Sequence, residues 1–160
     1  MELFDAQFGR LHRVLNRLSG DPEMAADVVQ EAFVRLYARG SMPDSPEGWL
    51  ISVAMNLVRN EKSSQSRRLR LLTPSRSEAM HAGHSPDPAE AAGAEASRRQ
   101  VRQALERVPE RERRMLLLQA EGYRYRDIAL ALGIHEASVG VFLVRARRAF
   151  RKAFEEHDAP

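Results

Sequence analysis

Cysteine is absent from this sequence of 160 residues. Its absence excludes disulfide bonds, thiolate metal sites and cysteine nucleophiles, and it is typical of proteins from a reducing compartment. Long apolar runs are also missing, and the N-terminal stretch MELFDAQF is amphipathic and acidic rather than a signal sequence. We therefore expect a cytoplasmic protein with no membrane insertion.

Motifs of the common enzyme classes are missing as well. The sequence has no phosphate-cradling glycine loop, no HExxH and no serine in a GxSxG context. His81 and His84 have no second cluster of ligands near them in sequence, which favours solvated residues over a metal site. We expect no enzymatic activity, no catalytic residues, no metal and no cofactor.

Charge is small in total but unevenly placed. The formal net charge is +3. Acidic residues concentrate before residue 31 and in the middle of the chain, whereas arginine dominates 59–76 and 145–152. This asymmetry predicts two basic patches that meet phosphate and an acidic surface that meets another partner.

The apolar residues recur with a period near 3.6, which predicts an all-α fold. In the first unit, residues 1–72, one helix is expected from Glu2 to Ser19 and a second from Pro22 to about Arg39, with Asp21 as its N-cap. A third begins at Pro46 and carries polar and basic residues towards its end near Lys62. The inward positions expected on that third helix are Trp49, Leu50, Val53, Ala54 and Leu57.

A change of composition separates this unit from a second one. Residues 73–94 are rich in Ser, Pro, Gly, Ala and acids and lack apolar periodicity, which predicts a flexible linker. Residues 95–157 predict a four-helix unit. Its first helix carries Val101, Leu105 and Val108, and its next begins at Pro109-Glu110 and buries Met115, Leu116 and Leu118.

The stretch YRYRDIALALGIHEASVGVFLVRARRAF, residues 123–150, has the spacing of a helix-turn-helix. Gly133 sits where a helix end needs positive φ, and a second helix is expected to begin near Glu136. Val139, Leu143, Ala146 and Phe150 predict one buried stripe, whereas the arginines lie mostly off it. A helix-turn-helix with a basic flank favours DNA binding over an ordinary helical hairpin.

Together the two units resemble the bacterial RNA polymerase sigma factors of the extracytoplasmic-function (ECF) type. The residues that carry the resemblance are SGDPEMAADVVQEAFVRLY and GWLISVAMNLVRNEK in the first unit, and RVPERERRMLLLQAEGYRYRDIALALGIHEASVGVFLVRARRAF in the second. The resemblance implies a region 2-like unit and a region 4-like helix-turn-helix unit. It also implies three partners, namely core RNA polymerase (through its β′ coiled coil and β flap), promoter DNA and an anti-sigma factor.

The resemblance implies a role for three groups of residues. The exposed face of the second helix would dock on core polymerase through Asp27, Gln30, Glu31 and Arg35. The end of the third helix would read and melt the −10 promoter element through Asn56, Arg59, Asn60, Lys62, Arg67 and Arg68. The helix-turn-helix would read the −35 element through Arg126, His135, Glu136, Ser138, Arg145 and Arg148.

The sequence departs from the sigma-factor pattern at Gly140 and Phe142, where basic side chains are often found. Two interpretations remain open. The DNA contacts shift to His135, Ser138 and the arginines, or the apolar surface of Val141 and Phe142 packs on another protein or domain.

Two other functions compete with the sigma-factor interpretation. A conventional regulator would use the helix-turn-helix as a dimer on palindromic DNA, but it would not need the acidic face of the first unit. A protein-interaction module without promoter reading would explain Gly140 and Phe142.

Overall fold

The computed structural model describes residues 1–71 and 90–158, and within them it contains helices and no strand. The all-α prediction is therefore confirmed. The predicted linker lies largely outside the described residues, as do His81 and His84. The elements are α1 (Glu2–Ser19), α2 (Pro22–Ala38), α3 (Pro46–Leu71), α4 (Glu90–Arg107), α5 (Glu110–Ala120), α6 (Tyr125–Leu132), a single 3-10 turn (Glu136–Ser138) and α7 (Val139–Asp158).

Helices α1 and α2 lie where the sequence predicts them, because their boundaries are set by strong local signals. Gly20 ends α1 in the left-handed conformation, at φ 70°, and its N–H donates to the Asn16 carbonyl. Asp21 then caps α2 by accepting a hydrogen bond from the Met24 N–H at 3.0 Å. These two neighbouring signals turn the chain sharply, so α1 and α2 pack side by side.

Two helices are longer than predicted. Helix α3 continues to Leu71, nine residues beyond the expected end near Lys62, and α4 begins at Glu90 rather than near residue 95. Extending an existing helix adds one hydrogen bond for each residue that is fixed, so a polar stretch can continue a helix that a packed turn has nucleated. The serine- and arginine-rich tract is therefore part of α3.

The core of the first unit lies between α1, α2 and α3. Leu11, Val29 and Phe33 are buried there. On α3 the buried face is rotated from the expected one: it comprises Leu50, Ile51, Ala54, Met55 and Val58, while Trp49, Val53 and Leu57 are only partly buried. Trp49 packs against this core and has the Arg39 guanidinium 5.8 Å from its ring, which fits a packing role.

The second unit contains the predicted helix-turn-helix. Gly133 ends α6 with φ 64°, and the Ile134 N–H donates to the Ala129 carbonyl at 3.0 Å. Of the expected stripe, Val139, Leu143 and Ala146 are fully buried, whereas Phe150 is only partly buried. Helix α7 starts at Val139 rather than Glu136, because the 3-10 turn precedes it.

Two apolar predictions in the second unit need correction. Val101 was expected inside, but it is exposed, and Ala104 and Val108 form the buried positions of α4 and its end. On α5 Leu117 is buried, whereas Leu116 is only partly so. The smaller Ala104 lets α4 lie close to α7, which is its packing partner.

The two units contact each other through two pairs of helices. Helix α6 packs on the first turns of α3, and α5 packs on α1. At the first of these contacts, Gly48 lies so close to α6 that an added Cβ would stand 2.8 Å from Leu130 Cδ2 and 3.3 Å from Asp127 Cα. We call these two contacts the interunit interface.

Within the part of the chain that the structure describes, no single helix is long and apolar enough to cross a membrane. Helix α6 and the stretch Glu136–Glu156 are together long and apolar enough for a span, but they are bent by 105° relative to each other.

Candidate functional site

An acidic groove runs between α2 and α3. It has a volume of about 410 Å³ and is lined by Asp21, Glu23, Met24, Asp27, Val28, Glu31, Leu57, Glu61 and Gln65. Five of these side chains are acidic and none is basic. The groove therefore presents a negative surface with an apolar floor, a chemistry that fits a basic helix.

The predicted docking residues lie in and beside this groove. Asp27 and Glu31 line it, and all four predicted residues are exposed. Arg35 Nε lies 2.7 Å from Glu31 Oε1, so part of the charge of Glu31 is balanced on α2 itself. Within residues 1–71 and 90–158, Asp27 forms no ion pair.

A second cavity, which we call the basic cavity, lies on the other side of α3. Its volume is about 430 Å³. It is lined by Leu15, Leu18, Met55, Val58, Arg59, Lys62, Ser63, Ser66, Arg67, Arg70, Glu110, Arg113 and Arg114. Six of these are cations and one is a carboxylate. Helices α1 and α3 form one wall, and the start of α5 forms the other.

Only half of the residues predicted for the −10 element line this cavity. Arg59, Lys62 and Arg67 do, whereas Asn56, Asn60 and Arg68 are exposed on α3 outside it. The two asparagines are one helical turn apart, so their amides share a face. The two amides and the three cations thus lie on adjoining parts of one helix.

Lys62 is hydrogen-bonded to α1 and lies within electrostatic range of charges on α5. Its Nζ donates to the Leu18 carbonyl at 2.8 Å. Burial lowers the pKa of Lys62; nearby Glu110 opposes this shift, while Arg113 and Arg114 lower the pKa further. The charges of α5 are therefore close enough to be felt on α3.

The helix-turn-helix places its predicted residues in two groups. His135 Nδ1 accepts a hydrogen bond from the Ala137 N–H at 3.4 Å, and Glu136 and Ser138 follow in the 3-10 turn. Arg145 and Arg148 lie two to three turns further along α7, on the exposed side opposite Leu143.

Arg126 is the exception among the six predicted residues. It makes a long hydrogen bond, at 3.5 Å, from Nη2 to the Asp44 carbonyl of the first unit. In this conformation Arg126 therefore faces the interunit interface.

Phe142 and Gly140 have ordinary structural environments. The ring of Phe142 lies between the guanidinium groups of Arg111, at 4.4 Å, and Arg145, at 5.6 Å, so it packs within its own unit. A Cβ added at Gly140 would meet the Tyr125 ring at 3.8 Å, an ordinary contact. Val141 remains 57% exposed. Of the two residues in the proposed apolar surface, Val141 is exposed and Phe142 is partly buried.

The interunit interface contains polar residues that the sequence analysis did not single out. Ser45 Oγ donates to Asp127 Oδ1 at 2.5 Å, and Arg124 Nε lies 3.2 Å from Asp127 Oδ2. Asp127 is only 2% exposed. One signal was present in the sequence, since a carboxylate directly before buried Ile128 and Ala129 needs partners wherever that face is covered.

The second contact of the interface joins α1 to the end of α5. Arg13 holds both carboxylate oxygens of Glu121, with Nη2 to Oε2 at 2.9 Å, and this hydrogen-bonded carboxylate raises the pKa of Arg13. Arg10 Nε donates to the Glu121 carbonyl at 2.9 Å, and its guanidinium lies 4.2 Å from the Tyr123 ring centre. Burial raises the pKa of Tyr123 to about 12.

No group of three or more His, Cys, Asp or Glu side chains among the described residues could hold a metal ion.

Comparisons with known proteins match both units. The family "Sigma-70 region 2" matches residues 3–68, and "Sigma-70, region 4" matches residues 98–150. The ECF RNA polymerase sigma factor SigL of Mycobacterium tuberculosis is 31% identical over 160 residues, which cover 96% of this chain and 88% of SigL.

Other relatives are longer proteins. SigE of Mycolicibacterium smegmatis, an ECF RNA polymerase sigma factor, is 26% identical over 161 residues, covering 99% of this chain and 62% of SigE. A protein of Xanthomonas campestris named "Probable RNA polymerase sigma factor RfaY" is 32% identical over 139 residues, covering 84% of this chain. The chain spans only 35% of the length of that relative.

Among solved structures, the chain is similar to the sigma factor RpoE of Bartonella quintana, crystallised in complex with the anti-sigma factor NepR. The TM-score is 0.67 at 18% identity, and the match covers 96% of this chain and 95% of RpoE. The similarity of fold therefore extends over both units.

Proposed function

Because this chain belongs to the ECF family of RNA polymerase sigma factors, we propose that it binds core RNA polymerase and directs promoter-specific initiation of transcription, including promoter opening. The observation that carries this proposal is the opposite charge on the two sides of α3, with the acidic groove on one side and the basic cavity on the other. A single helix would thus connect a polymerase-facing surface to a promoter-facing surface. Residues 1–72 would form the first domain and 95–157 the second.

The acidic groove is the proposed docking surface for the β′ coiled coil of core polymerase. Asp27, Gln30, Glu31 and Arg35 are all exposed, and the groove offers carboxylates around a partly apolar floor. Charge complementarity of this kind speeds encounter and fixes orientation. The β flap would be a second contact of polymerase, with the second domain.

Reversing the charge of Asp27 and Glu31 tests the docking surface. We expect Asp27→Lys with Glu31→Lys to weaken polymerase binding by at least roughly thirtyfold, because like charges placed in contact cost about 2 kcal/mol or more. Both side chains are exposed, so the fold should be retained. The control is Glu2→Lys with Asp5→Lys, which changes the net charge equally on exposed positions of α1 outside the groove. Equal affinities of the two double variants would contradict the docking assignment.

The exposed part of α3 is the proposed reader of the −10 element. Asn56 and Asn60 would hydrogen-bond bases turned out of the stack, while Arg59, Lys62, Arg67 and Arg68 would hold the strand by its phosphates. We expect Asn56→Ala to leave polymerase binding intact and to reduce the permanganate reactivity of promoter thymines. Unchanged permanganate reactivity would show that this part of α3 does not take part in promoter melting.

The −35 element is proposed to meet the start and exposed face of α7. His135, Glu136 and Ser138 would approach base edges. Arg145 and Arg148 would contact phosphates, and Arg126 would also contact the DNA once its hydrogen bond to the Asp44 carbonyl is broken. Replacing Arg148 with Gln should weaken binding to all promoter sequences and reduce its salt dependence. A change in sequence preference instead would identify Arg148 as a base-reading residue.

The compact arrangement of the two units must open for both elements to be read at once. The names of the elements place them about 25 base pairs apart, which is about 85 Å of duplex at 3.4 Å per base pair. A compact chain of this length has a radius of gyration of about 15 Å and a diameter near 40 Å. We therefore propose that the interunit interface separates when polymerase and promoter bind.

An anti-sigma factor is proposed as a further partner, since the structurally similar RpoE was crystallised with one. Val141 is an exposed apolar residue on the proposed promoter-facing side of α7, and a covering partner would bury it. The chain would act in the cytoplasm and would leave nucleotide addition to the polymerase, contributing no catalysis of its own.

The primary test is to mix the purified chain with core RNA polymerase and to transcribe a library of genomic fragments. A stoichiometric complex in gel filtration that initiates at a restricted set of start sites is the expected result, and it would also reveal the promoter motif. A folded chain that forms no complex would instead favour a regulator acting alone on DNA.

A further inference from the structure

The basic cavity combines cations from both units. Arg59, Lys62, Arg67 and Arg70 come from α3, and Arg113 and Arg114 come from the first turns of α5. Neither group would form a cavity alone, because the two walls belong to different units. The site therefore exists only while the interunit interface is closed.

Two buried donors on arginines that line this cavity lack partners. Among the described residues, Nε of Arg113 and Nε of Arg114 are inaccessible to solvent and make no hydrogen bond. The Arg114 side chain is 14% exposed and pairs through Nη2 with Glu110, so only one carboxylate balances the wall formed by α5. Buried donors of this kind cost free energy unless an acceptor reaches them.

The cavity also holds an excess of positive charge. Lys62 is partly desolvated and feels the repulsion of Arg113 and Arg114, which Glu110 only partly offsets. An anion between α3 and α5 would relieve this repulsion. The apolar residues Leu15, Leu18, Met55 and Val58 also line the cavity.

We propose that the basic cavity binds the phosphate chain of a small polyphosphate and that the bound anion holds the two units closed. The extent of the cavity favours several phosphates over one, since Arg59 and Arg70 are eleven residues apart on α3, or about 16 Å. A volume of about 430 Å³ has room for a phosphate chain or a nucleotide that carries one, but not for a duplex. Arginine guanidinium groups suit phosphate oxygens because they present paired donors.

The same cations are assigned above to promoter phosphates, so polyphosphate and promoter would exclude each other. Arg59, Lys62 and Arg67 cannot serve both ligands at once. This competition rests on the proposed function, whereas binding of the anion does not. Direct binding to the free chain therefore tests the cavity separately from the sigma-factor activity.

The test is isothermal titration calorimetry of the full chain with sodium tripolyphosphate, at constant ionic strength. We expect saturable binding with one site per chain. Arg113→Gln should raise the Kd roughly tenfold, the size expected for losing a hydrogen bond to a charged group. The control Arg102→Gln removes the same charge from an exposed position on α4 outside the cavity and should leave the Kd unchanged. Circular dichroism checks that each variant is folded, and exposed Arg70→Gln, with the same expected loss, replaces Arg113→Gln if that variant does not fold.

Further titrations identify the source of the phosphate chain and the need for both units. A nucleoside triphosphate that binds as tightly as tripolyphosphate would show that the phosphates alone are recognised, whereas tighter binding would show that the nucleoside contributes. Gly48→Leu, which disturbs the interunit interface, should weaken the binding of either ligand. Equal affinity for tripolyphosphate and orthophosphate would overturn the proposal. The proposal would also be overturned if Arg113→Gln bound tripolyphosphate normally while Arg70→Gln did not, because the anion would then lie on α3 alone.

Discussion

Replacing Gly48 with Leu should separate the two units without unfolding either. An added Cβ at this position would stand 2.8 Å from Leu130 Cδ2, 3.0 Å from Ser45 Oγ and 3.3 Å from Asp127 Cα. Leu130 is a flexible side chain that can move aside, but the Asp127 Cα belongs to the backbone of α6. A leucine at position 48 therefore forces α6 away from α3.

The cost of this overpacking is about 1–3 kcal/mol, which lowers the ratio of closed to open chains by roughly 5- to 150-fold. Within α3 itself the change is favourable, because replacing a helical glycine with leucine gains up to about 1 kcal/mol. The first unit should thus keep its stability while the interunit interface weakens.

Small-angle X-ray scattering measures the outcome. The radius of gyration should rise clearly above the value of about 15 Å expected for a compact chain of this length. Gly93→Leu is the matched control, since it places the same side chain in α4, where an added Cβ meets nothing within 4 Å. A folded Gly48→Leu chain with the scattering curve of the control would refute the idea that this close approach holds the units together.

Three smaller perturbations test other parts of the fold. Burial raises the pKa of Tyr123 to about 12, so the neutral phenol stabilises the fold fully below pH 10 and this stabilisation is lost between pH 10 and 12. Denaturant titrations should show the free energy of unfolding falling by about 1.4 kcal/mol per pH unit in that range, and Tyr123→Phe should remove the slope. Asp21→Ala removes the cap of α2 and should cost about 1 kcal/mol of unfolding free energy, with no loss arguing against the cap. Arg13→Gln should leave the denaturant midpoint close to that of the unchanged chain, since its side chain is 53% exposed and solvent screens its pair with Glu121, and a clear fall in the midpoint would show that the pair is better shielded than this exposure indicates.

The secondary structure within each unit was largely predictable, because local signals decide it. Helix α1 follows from an apolar stripe closed by Gly20, and the start of α2 follows from Asp21 and Pro22. The buried stripe of α7 was likewise visible from its spacing. Each of these features depends on residues within a few positions of one another.

The extension of α3 beyond Lys62 was missed for a physical reason. Its last nine residues are nearly all exposed, so they carry no apolar period, and their helix depends on the packed turns that precede them. In this stretch the sequence shows only a polar composition, whereas the helix depends on the packed turns that precede it.

The contact between the units was not predictable from local pattern at all. It depends on single residues far apart in sequence, such as Ser45 with Asp127 and Arg13 with Glu121. No repeat or spacing links such pairs. For the same reason the sequence identified the cations of α3 but not Arg113 and Arg114, which complete the basic cavity only when the units are packed together.

Helix α3 also separates two surfaces of opposite charge. Leu57, Glu61 and Gln65 face the acidic groove, while Arg59, Lys62 and Arg70 face the basic cavity, so opposite potentials are separated by little more than the width of one helix, about 10 Å. A nucleic acid strand held on the basic side, as proposed above, would meet repulsion if it slid around the helix. The acidic groove behind α3 would therefore help to confine the strand to the side that attracts it.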